Sequence, residues 1–125
     1  MYTLYSYPKC STCRKAKAWL ENQKVEFQIV DMITNVPEAA QIEAWFTESD
    51  LPIRRLFNTS GMKYRELGLK DQIDSFSIKE ASQVLSTDGM LIKRPLLAKE
   101  NQILAVGFNE KSYEGVLNES WQENI

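Results

Sequence analysis

Two cysteines, Cys10 and Cys13, stand three residues apart in a chain of 125 residues that has no other cysteine and no histidine. A Cys-x-x-Cys pair either binds a metal or exchanges electrons as thiol and disulfide. Metal is the poorer fit, because a structural zinc site takes about four Cys or His ligands and no imidazole is present to complete one. The missing histidine also removes the commonest general base. Thiol chemistry requires a thiolate, and the surroundings of Cys10-Ser11-Thr12-Cys13 favour one. A helix is expected to start here, so unpaired backbone N–H groups and the positive end of the helix dipole face the sulfurs. Arg14, Lys15 and Lys17 follow within two turns. Together these are expected to hold at least one cysteine below the free-thiol pKa of about 8.5. As packing alone, the two residues would be small apolar fillers; their place between a strand and a helix favours redox chemistry.

The helix phase separates the two sulfurs. Cys13 shares an apolar stripe with Ala16 and Leu20, whereas Cys10 precedes the helix. Cys10 is therefore expected to be the exposed nucleophile and Cys13 the resolving thiol that attacks the adduct on Cys10. Their spacing is compatible with the Cα separation of about 4.4–6.8 Å that a disulfide needs. The second candidate segment is Lys93-Arg94-Pro95. Pro95 suits the first residue of a strand, where its missing N–H costs nothing. From sequence alone Arg94 is a solvated surface charge.

The elements that must position these residues follow from pattern. Tyr2 to Ser6 alternates as a first strand, a helix runs from Thr12, and Val25 to Val30 gives a second strand, which makes a βαβ unit with parallel strands. Asn35 and Pro37 precede a helix carrying Ile42, Trp45 and Phe46 and ending near Ser49. Pro52 to Leu69 is broken by Asn58, Thr59, Ser60, Gly61 and Gly68, which predicts two or three short helices. Ser77 and Glu80 form a capping box ahead of Ile78, Ala81, Val84 and Leu85. Asp88-Gly89 marks a turn, and Leu96 to Ala98 and Ile103 to Val106 read as a hairpin. Asn109 is an N-cap, with Phe108 and Tyr113 placed as a hydrophobic staple for a last helix through Leu117. The expected fold is α/β in one domain over residues 1–125: a four-stranded mixed sheet, βαβ then ββα, with a helical insertion at about 35–87.

Charge and composition narrow the partners. The 15 basic and 17 acidic side chains nearly cancel, so no strong field attracts nucleic acid or a membrane surface, and no direct nucleic-acid contact is expected. No apolar run approaches the roughly 18 residues of a membrane span, and no secretory signal pattern opens the chain. A cytoplasmic location is expected, where a structural disulfide is uncommon.

Tyr7-Pro8-Lys9-Cys10-Ser11-Thr12-Cys13-Arg14-Lys15 and Leu91-Ile92-Lys93-Arg94-Pro95 together resemble the arsenate reductase and Spx-like family. Phe57 to Gly61, Tyr64 to Leu69 and Val106 to Glu110 extend the resemblance over nearly the whole chain. It implies a thioredoxin-like fold in which Pro95 is cis and faces the cysteine loop, with Arg94 reaching toward Cys10. The catalytic set would be Cys10, Cys13 and Arg94, with Ser11, Thr12, Arg14 and Pro95 at a small oxyanion or disulfide substrate. No bound cofactor or metal is implied; glutathione, glutaredoxin or thioredoxin would supply electrons. Arsenate reductases of this family hold arsenate with three arginines, of which only Arg94 has a counterpart here; Asn58 occupies the position of one, and Ile103 to Val106 offers no other. Cys13 points toward the Spx-like branch, which includes redox-sensing regulators that bind the α subunit of RNA polymerase. A regulator of that kind is the alternative, although Thr47-Glu48-Ser49-Asp50 lacks the glycine expected at the polymerase contact.

Overall fold

The computed structural model describes residues 1–123. Strand β1 (Tyr2–Ser6) leads to helix α1 (Ser11–Asn22) and strand β2 (Phe27–Asp31). Helix α2 (Ala39–Ser49), short helix α3 (Met62–Glu66) and helix α4 (Ile78–Leu85) follow, with 3-10 turns at Ile53–Leu56, Leu69–Asp71, Ile73–Ser75 and Gly89–Leu91. Strands β3 (Leu96–Lys99) and β4 (Gln102–Val106) and helix α5 (Glu110–Glu123) complete the order. The four strands line up as β2-β1-β3-β4. The β1–β2 pair is parallel, and β1–β3 and β3–β4 are antiparallel.

Both faces of the sheet are covered, and side-chain alternation assigns each residue to a face. Leu4 and Leu97 pack with Ala16 and Leu20 of α1 and Tyr113 of α5. Leu96 and Ala98 point the other way, into a larger cluster with Ile42, Trp45 and Phe46 of α2 and Ala81 and Leu85 of α4. Helices α1 and α5 therefore cover one face, and the insertion covers the other.

Local signals account for the element ends. The capping box is formed: Ser77 Oγ accepts from the Glu80 N–H at 3.1 Å, and the Glu80 carboxylate accepts from the Ser77 N–H at 3.0 Å. Asn109 Oδ1 accepts from the Ser112 N–H, and the Phe108 and Tyr113 rings meet edge to face at 4.9 Å, which completes the staple. Helix α5 continues past Leu117 to Glu123. The second strand begins two residues later than the expected Val25. Lys24 is left-handed (φ 57°), the Lys24 N–H donates to the Glu21 carbonyl and the Val25 N–H to the Leu20 carbonyl. This is a Schellman stop, and it uses the N–H that Val25 would have given to a ladder.

The insertion is stitched to the strand that follows it. Phe57 bridges Ile92 in antiparallel fashion, the Asn58 N–H donates to the Leu91 carbonyl and the Lys93 N–H to the Leu56 carbonyl, both at 2.8 Å. Gly89 fixes the approach to this segment. A Cβ there would run into the Met32 carbonyl just beyond β2 and sit 3.3 Å from Ile33 Cδ1. Among the described residues no helix is long and apolar enough to cross a membrane.

These contacts set opposite expectations for two glycines. Gly89→Ala should lose about 1–3 kcal/mol in chemical denaturation, as overpacked sites do. Gly115→Ala, inside α5 with nothing within 4 Å of the new methyl, should gain up to about 1 kcal/mol from helix propensity. Equal stability of Gly89→Ala and wild type would show that the turn is not pinned against Met32.

Candidate active site

Cys10 is the N-cap of α1. It has extended backbone angles (φ −86°, ψ 121°), and its Sγ accepts a hydrogen bond from the Cys13 N–H at 3.4 Å. Neither cysteine is in a disulfide; Cys10 is partly exposed, and Cys13 is buried at 2% exposure. Helix phase produces this difference, since Cys13, Ala16 and Leu20 form the buried stripe of α1.

The two thiols are pushed in opposite directions. Burial works against a Cys10 thiolate, but the Cys13 thiol and N–H, the charge of Arg94 and the Thr12 N–H outweigh it, so the Cys10 pKa falls below its ordinary value. Burial raises Cys13, its hydrogen bond to Cys10 and the neighbouring Cys10 charge add to this, and the pKa is pushed up to about 12. The pair thus sets the more easily ionised thiol at the edge and a protonated thiol beneath it.

Arg94 comes from the other end of the chain. β1 runs antiparallel to β3, with Tyr5 opposite Leu96, so the segment leaving β1 lies beside the segment entering β3. The Arg94–Pro95 peptide bond is cis, and Pro95 is buried. The Arg94 guanidinium carbon sits 5.3 Å from the centre of the Tyr7 ring, a cation–π contact. Arg94 Nε and Nη1 are buried and have no hydrogen-bond partner. A half-buried guanidinium with two buried nitrogens left unpaired keeps hydrogen-bonding capacity for an anion.

The remaining expected site residues divide. Ser11 and Thr12 are exposed in the first turn of α1, and the Thr12 N–H contributes to lowering Cys10. Arg14 does not join Arg94; with Lys17, Asp31 and Asn35 it lines a separate cleft on the β2 side, which Cys13 also borders. The expectation that Arg14, Lys15 and Lys17 would lower a cysteine pKa is corrected, because Arg94 is the cation that acts on Cys10 and the three α1 cations are exposed. Arg54 pairs with Asp74 at 3.0 Å, and Arg65 donates to the Ser60 carbonyl at 3.1 Å. Asn58 stays close to Arg94, and both line a cleft beside α3.

Two aromatic residues complete the site. Tyr7 carries Arg94, and only its place between β1 and the cysteines could have signalled it. Tyr113 is fully buried, donates to the Gly107 carbonyl at 3.0 Å, and is raised above its ordinary pKa by burial and by nearby Cys13.

A β2-β1-β3-β4 sheet with a Cys-x-x-Cys pair capping α1 and a cis-proline opposite defines a thioredoxin-like thiol protein. The chain belongs to the ArsC family, whose model matches residues 5–116. It is 44% identical to the uncharacterized protein YusI of Bacillus subtilis (strain 168), over 95% of this chain and 97% of that one. It is 29% identical to the global transcriptional regulator Spx of Lactiplantibacillus plantarum, over 88% and 81% of the two chains. The crystal structure of a possible arsenate reductase from Streptococcus mutans UA159 superposes with a TM-score of 0.84 at 49% identity, over 87% of this chain and 92% of that one.

The opposed pKa directions give a titration test. The thiolate is the form that alkylates, so a depressed pKa moves the reactive range to lower pH. Iodoacetamide labelling of Cys10, followed by mass spectrometry, should reach half its maximal rate below about pH 8.5, while Cys13 stays unlabelled well above that. Arg94→Ala should move the Cys10 midpoint upward. A wild-type midpoint at or above that of free cysteine would contradict the assigned environment.

Proposed function

We propose that the protein is a thiol-dependent reductase in which the Cys10 thiolate attacks arsenate or a small disulfide and Cys13 resolves the adduct. The observation that carries this reading is the Cys10 sulfur held as an N-cap under the Cys13 N–H, within the field of a half-buried Arg94 two of whose nitrogens have no partner. With arsenate, Cys10 forms a sulfur–arsenic bond and a water leaves. Cys13, losing its proton, attacks the Cys10 sulfur; the sulfur–arsenic pair stays on arsenic, which leaves as arsenite while the Cys10–Cys13 disulfide forms. With a disulfide, the same two attacks release two thiols. Arg94 and the first-turn N–H groups at Ser11 and Thr12 stabilise the anionic atoms. Glutathione, glutaredoxin or thioredoxin would return the site to the dithiol, and the cytosol is the compartment that supplies them.

A second reading has its own support. Several relatives are global transcriptional regulators named Spx, and Asp50, at the end of the segment where a glycine was expected, adopts left-handed angles (φ 50°, ψ 47°) without one. In this reading the Cys10–Cys13 disulfide alters a surface that binds the α subunit of RNA polymerase.

Steady-state reduction of arsenate with glutathione, glutaredoxin or thioredoxin supplied in turn tests the first reading. Cys10→Ser should abolish turnover, and Cys13→Ser should stall with an adduct on Cys10. Arg94→Ala should lose about 10²–10³ in rate, the usual cost of removing an oxyanion donor. Turnover retained by Cys10→Ser would defeat the mechanism. Absence of turnover on arsenate and on disulfides, with redox-dependent capture of the polymerase α subunit, would establish the second reading instead.

A further inference from the structure

The cleft that Arg94 shares with α3 differs in charge from an oxyanion site. It measures about 620 Å³, within the range of small-molecule sites and far larger than a tetrahedral oxyanion. Lys63 and Arg94 contribute two positive groups to its lining and Glu66 and Asp88 two negative ones, and Met62 and Met90 contribute apolar surface. The two carboxylates offset the two cations, so the cleft as a whole offers a free oxyanion no net attraction. Lys63 and Asp88 meet at only 3.9 Å, with side chains 44% and 33% exposed, so a guest that offers each a better partner displaces little. Asp88 is already aimed, because its Oδ1 accepts from the Met90 N–H at 2.8 Å. Glu66 has no ion-pair partner among the described residues.

We propose that this cleft is a subsite for the α-amino-acid head group of a low-molecular-weight thiol, so that the substrate of Cys10 is the disulfide of a zwitterionic, cysteine-type thiol. The inference rests on the thiol-reductase reading and narrows its substrate. The carboxylate of the head group meets Lys63, its ammonium meets Glu66 and Asp88, and the methionines cover its methylene. Arg94 belongs to both neighbourhoods: it lines the cleft and acts on Cys10. Arg94 is thus the side chain through which the cleft adjoins the sulfur chemistry at Cys10. The Cys10 thiolate attacks one sulfur of the disulfide, a Cys10–S–S–R bond forms, the original S–S bond breaks, and the first thiolate leaves beside Arg94 and takes a proton from water. Cys13 gives up its proton, attacks the Cys10 sulfur and expels the second thiolate, which is protonated in turn. Two electrons pass from the protein dithiol to the disulfide, and two free thiols result.

Single-turnover oxidation of the fully reduced, desalted full-length protein tests this without an external electron donor. The probes are cystine, cystamine, 3,3′-dithiodipropionate and bis(2-hydroxyethyl) disulfide, each rate being divided by the rate of the same disulfide with dithiothreitol to remove leaving-group differences. Cystine should exceed the other three by tenfold or more. That ratio should fall to near one in Lys63→Ala and in Glu66→Gln, while Lys79→Ala, exposed on α4, should keep it. Equal normalised rates in the wild type, or an undiminished cystine preference in both cleft variants, would overturn the subsite. Failure of every disulfide to oxidise the Cys10–Cys13 pair would overturn the thiol–disulfide reading beneath it as well.

Discussion

The hydrogen bond from the Cys13 N–H to the Cys10 sulfur sets the conditions for everything else at the site. A sulfur can cap a helix only where the chain leaves a strand and enters the helix within a few residues, and here β1 ends at Ser6 and α1 starts at Ser11. Strand alternation sends Leu4 to the face that α1 covers, so Cys13, Ala16 and Leu20 must turn inward to meet it. Once the helix has that phase, Cys13 is buried and Cys10 is left at the rim. Burial is the main penalty on a Cys13 thiolate, and the contact between the two thiols, which lowers Cys10, adds to it. Two residues of one type thus acquire opposite shifts in acidity from position alone, which is what the proposed nucleophile and resolving thiol require.

The charge that completes the site arrives through the sheet. Because β1 and β3 are antiparallel neighbours, the first residues after one lie beside the last residues before the other, and Tyr7 meets Arg94. The Tyr7 ring covers part of the guanidinium and keeps water from it. A charge so held is screened less than that of a lysine side chain in solvent. This is why the cations of α1, adjacent in sequence, contribute less than one brought in from beyond the insertion. The insertion supports the same loop from outside, through the Phe57–Ile92 bridge and the hydrogen bonds on either side of it.

What could be read from the sequence was what short-range rules encode. The Cys-x-x-Cys at a helix start, the Ser77–Glu80 box, the Asn109 cap with its Phe108–Tyr113 staple and the last hairpin all depend on residues within a few positions of one another, and all are present. The parallel β1–β2 pair followed from the βαβ spacing. The features that escaped detection join distant segments. Gly89 reads as a turn residue, and nothing near it announces that the Met32 carbonyl occupies the space of its missing side chain. Tyr7 reads as a flank of the cysteine segment, and its role needs the β1–β3 register. Arg94 had no local signal at all, and it was the resemblance, not the spacing, that turned it toward Cys10. Lys24 and Asp50 end helices in left-handed angles without glycine, so the stop at Val25 fell outside the usual vocabulary of helix ends.

The charges around Cys10 bear on which of the proposed substrates the site suits. A tetrahedral oxyanion of double charge is best met by several cations, and the family's arsenate sites use three arginines. Here Asn58 offers a neutral amide, Arg54 pairs with Asp74, Arg65 with a backbone carbonyl, and Arg55 lines clefts that include neither Cys10 nor Arg94, so Arg94 with the first-turn N–H groups is the set at Cys10. Thiol–disulfide exchange makes a smaller demand, since a single negative charge passes from the attacking sulfur to the leaving one. One half-buried guanidinium matches that single charge, and the balanced charges of Lys63, Glu66, Asp88 and Arg94 itself are the basis for proposing a neutral zwitterion in place of a dianion. One arginine beside two thiols is the set that the proposed disulfide chemistry asks for: a single travelling charge needs one cation, and a second thiol on the same helical turn would spare that reaction an external one.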